Sequence, residues 1–410
     1  MIVHSCRGCG EALEHVFVDL GPQPLANSYV PGDDPWRAET VIPLRVMVCR
    51  QCLLVQLPEL ATAEAIFSDY AYRSSWSSSW VEHARRYAER AIERLALDDQ
   101  SLVLELASND GYLLQWFVQA GVPVLGVEPA ANIAAHAEER GVPTRVAFFG
   151  ADLGRDLAFD GKLADLVVAN NVMAHVPDLH DFVGGIAAVL ASDGRASLEF
   201  PHVLRLIDEV QYDTIYHEHF SYLSLLALEP VLERHGLAVV DVEELPTHGG
   251  SLRVWLAHAR AGRDVGGGVE RVRAAEAEAG LDRLETYLGF GALVAARKRA
   301  ILTELVGHVE AGRSITAYGA PAKGNTLLNH CGVGPDMVAF TVDRNPLKQG
   351  TLLPGSRIPV RPPEALDEAR PDLVLLLPWN LEAELTEQLA HVRTWGGRFL
   401  LLSPEPRVVP

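Results

Sequence analysis

The stretch Ser101-Leu-Val-Leu-Glu105-Leu-Ala-Ser-Asn109-Asp110-Gly111-Tyr112 constrains this chain more than any other. A short apolar run, a tight turn of small residues and the start of a helix follow one another. That is the opening βα unit of a doubly wound sheet, in which ligands bind at the carboxyl ends of the strands. The same order returns at Ser314-Ile-Thr-Ala-Tyr318-Gly319-Ala-Pro-Ala-Lys323-Gly324-Asn325-Thr326. Two such openings in 410 residues predict an α/β chain with two sheets, a length that fits two or three domains.

The first sheet continues through Val124–Glu128, Ala164–Asn171 and Arg195–Phe200, and closes with the pair Leu237–Leu245 and Ser251–His258. Counting Ala164–Asn171 as the fourth strand and Arg195–Phe200 as the fifth, with the third not placed, seven strands with helices between the first five and a closing pair predict a Rossmann-like class I sheet of the type that binds S-adenosylmethionine (SAM). The turn after Leu106 is not Gly-x-Gly-x-x-Gly, so it need not approach a pyrophosphate. Glu128 ends the second strand and offers a carboxylate to two ribose hydroxyls. SAM has a ribose and no phosphate, and is favoured over a dinucleotide. The residues expected to bind it are Glu105, Ala107, Asn109, Gly111, Tyr112, Glu128, Asn170 and Asn171. Strand-end acids also occur incidentally.

The second sheet carries a lysine in its first turn. Backbone N–H groups at a helix N-terminus together with Lys323 form a plausible diphosphate cradle, to which Arg344 and Lys348 add charge. It is not a Walker sequence, so ATP hydrolysis is not implied. The competing reading is a helper domain without a ligand.

Ahead of both sheets stand two Cys-x-x-Cys pairs, Cys6/Cys9 and Cys49/Cys52. Four thiolates suit one tetrahedral zinc ion and leave no open position, so the zinc is read as structural. The 39 residues between the pairs exceed a finger spacing. Strands at Leu13–Leu20 and Thr40–Val48 must bring the knuckles together. A redox pair would need a strand-then-helix setting that is missing here.

Between the closing strands and the rest lies Tyr212-Asp-Thr-Ile-Tyr216-His217-Glu218-His219-Phe220, the stretch densest in proton-moving groups. On a helical turn Tyr212, Tyr216 and His219 would share a face and His217 would point away. A packed polar core is the bland alternative. The i, i+4 histidines of a helical zinc site are absent. Phe67–Trp76, with Tyr70, suits either a loop over a pocket or a packed linker. A net charge of −19 repels nucleic-acid backbone and anionic membranes. Without an apolar span or a signal peptide the chain is expected to be cytoplasmic. No coiled coil or obligate interface is in view, and a monomer is expected.

Taken together, the cysteine pairs, Phe67-Ser-Asp-Tyr70, Glu105–Gly111, Asn171-Val-Met-Ala-His175-Val-Pro-Asp178, Tyr216-His-Glu-His219, His248-Gly-Gly-Ser-Leu-Arg253 and Tyr318–Gly324 resemble the sugar C-methyltransferases that act on nucleotide-linked 4-keto-deoxysugars. The resemblance spans nearly the whole chain. It implies a zinc domain (1–65), a SAM domain (66–262) and a C-terminal Rossmann-like domain (263–410) that binds the substrate nucleotide. That family usually has Ala where this chain has Pro321, which stiffens the loop before Lys323.

The implied reaction is methylation at C3 of a dTDP-4-keto-deoxysugar in an antibiotic pathway. The ketone acidifies the C3 hydrogen, a base removes it, and the resulting enolate takes the methyl group. His219 is expected as base because an unperturbed imidazole titrates near neutrality. Glu218 would orient or tune it, and Tyr216 would donate to the enolate oxygen or share the base role. Tyr70 and His175 would line the sugar site, with Tyr318, Lys323, Asn325, Arg344 and Lys348 on the nucleotide. An O- or N-methyltransferase, a 4-ketoreductase using NADPH and a non-catalytic binding module remain as alternatives.

Overall fold

The computed structural model describes residues 4–59, 73–261 and 265–410. Tyr70, and the expected boundaries at 65/66 and 262/263, lie outside the described residues.

The N-terminal unit holds β1 (His15–Pro24), β2 (Val30–Pro31), β3 (Val41–Val48) and β4 (Val55–Gln56). In β3 the alternate residues Leu44, Val46 and Val48 are buried, the period-2 pattern of a one-sided strand. β1 runs antiparallel to β3 with His15 opposite Val48. That register sets the knuckle before β1 beside the knuckle after β3. β1 runs four residues beyond the expected Leu20, past an irregularity between Asp19 and Pro22.

The central unit begins with α1 (Ser78–Leu95), capped by Ser77, whose side chain accepts from the N–H of Trp80. Ala84, Tyr87, Ala88 and Ala91 form its buried stripe at helical spacing. Then come β5 (Val103–Leu106), α2 (Leu114–Gln119), β6 (Val124–Glu128), α3 (Ala131–Glu139), β7 (Thr144–Val146) and α4 (Ala151–Phe159). They are followed by β8 (Ala164–Asn170), α5 (Leu179–Val189), β9 (Leu190–Pro201), α6 (Val203–Asp208), β10 (Ser221–Tyr222), α7 (Leu225–Arg234), β11 (Leu237–Leu245) and β12 (Ser251–His258). The sheet order is β11-β12-β9-β8-β5-β6-β7, with β12 antiparallel to both of its neighbours. The chain winds one way from β5 through β6 and β7, and the other way through β8 and β9. A crevice therefore opens between the carboxyl ends of β5 and β8.

The C-terminal unit starts with α8 (Gly267–Glu278), α9 (Leu284–Leu288) and α10 (Phe290–Glu310). Its sheet uses β13 (Ile315–Tyr318), α11 (Ala322–Cys331), β14 (Thr341–Val342), β15 (Thr351–Leu352), β16 (Val360–Arg361), α12 (Ala365–Ala369), β17 (Leu373–Leu376), α13 (Glu382–Gln388), β18 (Arg398–Leu401) and β19 (Arg407–Val409). The order β16-β14-β13-β17-β18-β19 puts the second crevice between β13 and β17. β15 pairs instead with β2, tying the C-terminal unit to the N-terminal one. Phe17 of β1 stacks on Phe290 of α10 with ring centroids 4.4 Å apart, and one apolar core runs from Val46 through Ile215 to Leu328 and Leu375. The units share a core.

Candidate active site

The stretch 212–222 is where the units meet. It is not a helical turn. Tyr212–Thr214 form one 3-10 turn, after which Ile215 is extended. Tyr212 consequently turns into the core, its hydroxyl 3.4 Å from Cys331 Sγ, and does not share a face with Tyr216 and His219. Each following residue is held by a different part of the molecule. Trp379 Nε1 donates to Asp213 (2.6 Å), and Thr326 Oγ1 donates to the Ile215 carbonyl (2.9 Å). His217 is buried against the Ile42 carbonyl (3.2 Å). Asn27 donates to both Glu218 carboxylate oxygens (2.8 and 2.9 Å). β10 then joins β4 in the N-terminal sheet.

This folding leaves a tight ring cluster. His219 lies 4.7 Å from His175 and 4.0 Å from Tyr216, centroid to centroid. His219 Nδ1 donates to the Thr214 carbonyl (2.8 Å), and His175 Nδ1 donates to the Glu218 carbonyl (2.8 Å). With Nδ1–H spent on a carbonyl, Nε2 carries the lone pair in each neutral ring. His219 is not an unperturbed imidazole. Burial, and then His175 beside it, hold its pKa well below the usual range, and burial lowers His175 to about 4. Both shifts favour the neutral imidazole and leave the Nε2 lone pair as the proton-accepting atom. Glu218 does not orient His219, because its carboxylate faces Asn27 and the Thr214 carbonyl does that work. Burial raises Glu218 to about 7, with Asn27 and Lys348 pulling the other way.

The β5/β8 crevice is lined with amides and acids. Ala107, Asn109 and Asn171 adopt positive φ (52°, 50° and 56°), which asparagine tolerates and which is unusual for the alanine. Gly111 has φ +75°, and a Cβ there would lie 3.2 Å from Ala137. Glu128 accepts from the N–H groups of Asn109 (3.0 Å) and Ala130 (2.9 Å). The Asn109 side chain accepts from Ser74 N–H (2.8 Å), which folds the approach to α1 over the turn. Glu105 is buried, accepts from Leu114 N–H, and has its pKa raised by burial and then by Glu128 and Asp110. It caps α2 from beneath. Tyr112 is buried beside Trp80, 6.1 Å between rings. Both polar atoms of the Asn170 side chain are buried without a partner among the described residues. Buried amide atoms of this kind take their partner from ordered water or a ligand.

At the β13/β17 crevice, Lys323 opens α11 and donates to Asn380, with its ammonium 4.7 Å from the Trp379 ring. Burial lowers it to about 8, and Asp213 opposes that. Gly319, at φ +84°, lets the turn pass Pro378, which a Cβ would meet at 2.7 Å. A cleft of about 450 Å³ lies between Pro246 and Gly249 on one side and Trp379, Asn380 and Glu382 on the other. Lys348 donates to the Ala320 carbonyl (2.8 Å), and Arg344 is exposed. The Tyr318 hydroxyl accepts from Gln388 (2.9 Å). Asn325 does not reach the cleft: it is 1% exposed and donates to the Ala26 carbonyl (2.6 Å), pinning α11 to the N-terminal unit.

The chain is 41% identical over 408 residues to the C-methyltransferase NovU of Streptomyces niveus, covering 99% of this chain and 97% of that one. The chain belongs to the C-methyltransferase family. Profiles of a zinc-binding domain, a methyltransferase domain and a C-methyltransferase C-terminal domain match residues 6–67, 80–242 and 246–404 of the enzyme. Solved structures similar to parts of it include a SAM-dependent methyltransferase from Archaeoglobus fulgidus (14% identity, 43% of this chain, 93% of that chain, TM-score 0.36). Another is the magnesium protoporphyrin IX methyltransferase of Synechocystis (16%, 47%, 88%, TM-score 0.32). Overlays this loose add nothing to the sheet topology.

Two groups that the C-methyltransferase needs fit the residues present. The Sγ atoms of Cys6, Cys9, Cys49 and Cys52 lie within 4.8 Å of one another, with Cys6–Cys52 and Cys9–Cys49 both at 3.5 Å. Zn–S bonds of about 2.3 Å place tetrahedral sulfurs roughly 3.8 Å apart. Four thiolates complete the shell, so the zinc is structural. SAM fits the β5/β8 crevice, with its orphaned Asn170 amide and Glu128 at the second strand end. No helix among the described residues is long and apolar enough to cross a membrane.

His248 is the site residue that sequence reasoning missed. Named in the sequence only as part of the His248–Arg253 motif and given no role, it sits at φ 54°, its Nε2 3.1 Å from the Asn171 amide and its ring 5.1 Å from Trp80. Burial, with Lys323 acting the same way, lowers it to about 4. It stands between the two crevices. Strand-end Asn171 and the paired glycines after His248 were the available signals.

Proposed function

We propose that this C-methyltransferase methylates C3 of a dTDP-linked 4-keto-deoxysugar through an enolate, in an antibiotic deoxysugar pathway. The observation that carries the reading is the pair of half-buried imidazoles, His175 and His219, packed against each other with Tyr216 against His219 and a crevice on each side. A saturated carbon has no lone pair to methylate, so a base must first remove its hydrogen. His219 Nε2 takes the C3 proton. The imidazolium so formed is costly in a buried site unless an anion forms beside it, and the enolate is that anion. Tyr216 donates to the enolate oxygen, and His175 holds the sugar. Bound SAM supplies an electrophilic methyl group. Lys323, Lys348 and Arg344 hold the diphosphate, with Tyr318 beside them, and Asn109, Glu128, Asn170 and Asn171 hold the cofactor.

Glu218 is a second candidate for the base, favoured by its carboxyl at about 7, close to working pH. Parallel His219→Asn and Glu218→Gln variants separate the two. The reading is tested by incubating the enzyme with SAM and dTDP-4-keto-6-deoxyglucose and locating the new methyl by NMR. A methyl on C3 is expected. A methyl on C5, the other carbon flanking the ketone, would overturn the position and keep the enolate route. An O-methyl product would overturn the route, and oxidation of added NADPH would point to the reductase.

A further inference from the structure

We propose that Arg7, inside the first cysteine knuckle, is the positioning residue that fixes the spacing between His175 and His219. The inference rests on the enolate reading for its catalytic consequence, but its geometry stands apart from that reading.

Arg7 is the middle of a convergence of backbone carbonyls. Its Nη1 donates to the Phe220 carbonyl and to Ser221 Oγ (3.3 Å), immediately after His219. Its Nε donates to the Pro177 carbonyl (3.2 Å), two residues after His175. Its Nη2 donates to the Leu57 carbonyl (2.9 Å), at the end of β4. One guanidinium therefore grips both histidine-bearing segments and the strand that β10 joins. The Phe220 N–H closes the bracket by donating to the Ala174 carbonyl (2.7 Å). The Phe220 ring lies 5.5 Å from the cation.

The other side of Arg7 is fixed to the knuckle. Its own N–H donates to Gln56 Oε1 (2.9 Å), and Gln56 Nε2 donates to Cys6 Sγ (3.0 Å). Arg7 stands between two cysteines of the zinc set, so the metal fixes the backbone from which the guanidinium reaches out. Only a planar fork with five donors satisfies carbonyls arriving from three segments; an ammonium on a flexible stem does not. Asn27 and the Ile42 carbonyl also hold this stretch from the N-terminal unit, but Arg7 is the side chain that links the cysteine knuckle itself to both histidine-bearing segments.

Misplacing a catalytic group by about 1 Å costs on the order of 10²-fold in rate. Arg7→Met and the milder Arg7→Lys are compared with wild type for zinc content, SAM affinity, kcat and KM with dTDP-4-keto-6-deoxyglucose, and amide hydrogen exchange. Both variants are expected to keep four-thiolate zinc and SAM affinity. Their kcat should fall, by about 10²-fold for Met and less for Lys, with KM little changed. Amides of 173–178 and of 214–222 should exchange faster together, while those of β13 and α11 do not. Chelating zinc from the wild type should produce the same paired loosening.

Wild-type kcat in Arg7→Met, or unchanged exchange in both segments, would overturn the proposal. So would loosening spread evenly over the chain, the mark of a merely structural residue. Should Arg7→Met fail to fold, Arg7→Lys and the chelated wild type still decide it. A wild type that forms no C-methyl product would sink the enolate reading, and the exchange comparison would still judge Arg7.

Discussion

The β5/β8 and β13/β17 crevices share one topology and hold different chemistry. In each, a first strand ends in a tight turn and a helix, and the winding direction reverses beside it. At β5/β8 the polar groups are Asn109, Asn170, Asn171, Glu105 and Glu128, and burial raises the pKa of both carboxyls. At β13/β17 they are the cations Lys323, Arg344 and Lys348 beside the carboxylates of Asp213, Asp343 and Glu382, and burial lowers Lys323 to about 8. Topology decides where a ligand goes, and side chains decide which one. On the proposed reading, a cationic ligand with ribose hydroxyls takes the first crevice and a diphosphate the second. The proton-moving cluster lies between them, on a segment that belongs fully to neither sheet.

That division can be broken experimentally. The largest effect is expected between the crevices. His219→Asn and Tyr216→Phe should each lower kcat by about 10²-fold or more, while calorimetry finds SAM and dTDP affinities unchanged. A matching loss of SAM affinity would move the cluster into the first crevice. Next, Lys323→Met should weaken dTDP binding by roughly 10- to 100-fold, the worth of a charged hydrogen bond, and leave SAM binding alone. Glu128→Gln should do the reverse, weakening SAM by roughly tenfold and sparing dTDP. Cross-effects in either variant would merge the two sites.

The smallest effect is a pH dependence. Lys323 is protonated below about pH 8 and loses its charge above it, so dTDP affinity should fall a few-fold between about pH 7 and 9. SAM affinity should stay flat over the same range. Lys323→Met should abolish the slope, and a slope that persists would assign it to Tyr318 or another group.

Much of the fold was legible because its signals are local. Runs such as Val103–Leu106 and Leu166–Ala169 are buried on both faces and read as central strands. The closing pair Leu237–Leu245 and Ser251–His258 stands at the expected bounds. Two-residue strands such as β2, β15 and β16 carry too little pattern to read. The cysteine spacing named the metal site outright.

The candidate site was legible as a list of residues and not as a geometry. Tyr216, Glu218 and His219 announce themselves by density. Their partners lie far along the chain: Asn27 is 191 residues from Glu218, Trp379 is 166 from Asp213, and Arg7 is 213 from Phe220. No local pattern encodes such pairings. That is why Glu218 was misread as a partner of His219 and Asn325 as a substrate contact. It is also why Tyr212 was placed on a helical face that the chain abandons at Ile215. His248 was missed because strain at one residue is a property of the folded turn.

The central claim is that carbon is deprotonated before it is methylated. It is tested most directly by incubating the enzyme with dTDP-4-keto-6-deoxyglucose in heavy water without SAM and following the sugar by NMR. The account predicts deuterium at C3 with wild type, slowed by about 10²-fold in His219→Asn. Clean C-methyl transfer with SAM, but no exchange under any condition, or equal exchange in the variant, would contradict it.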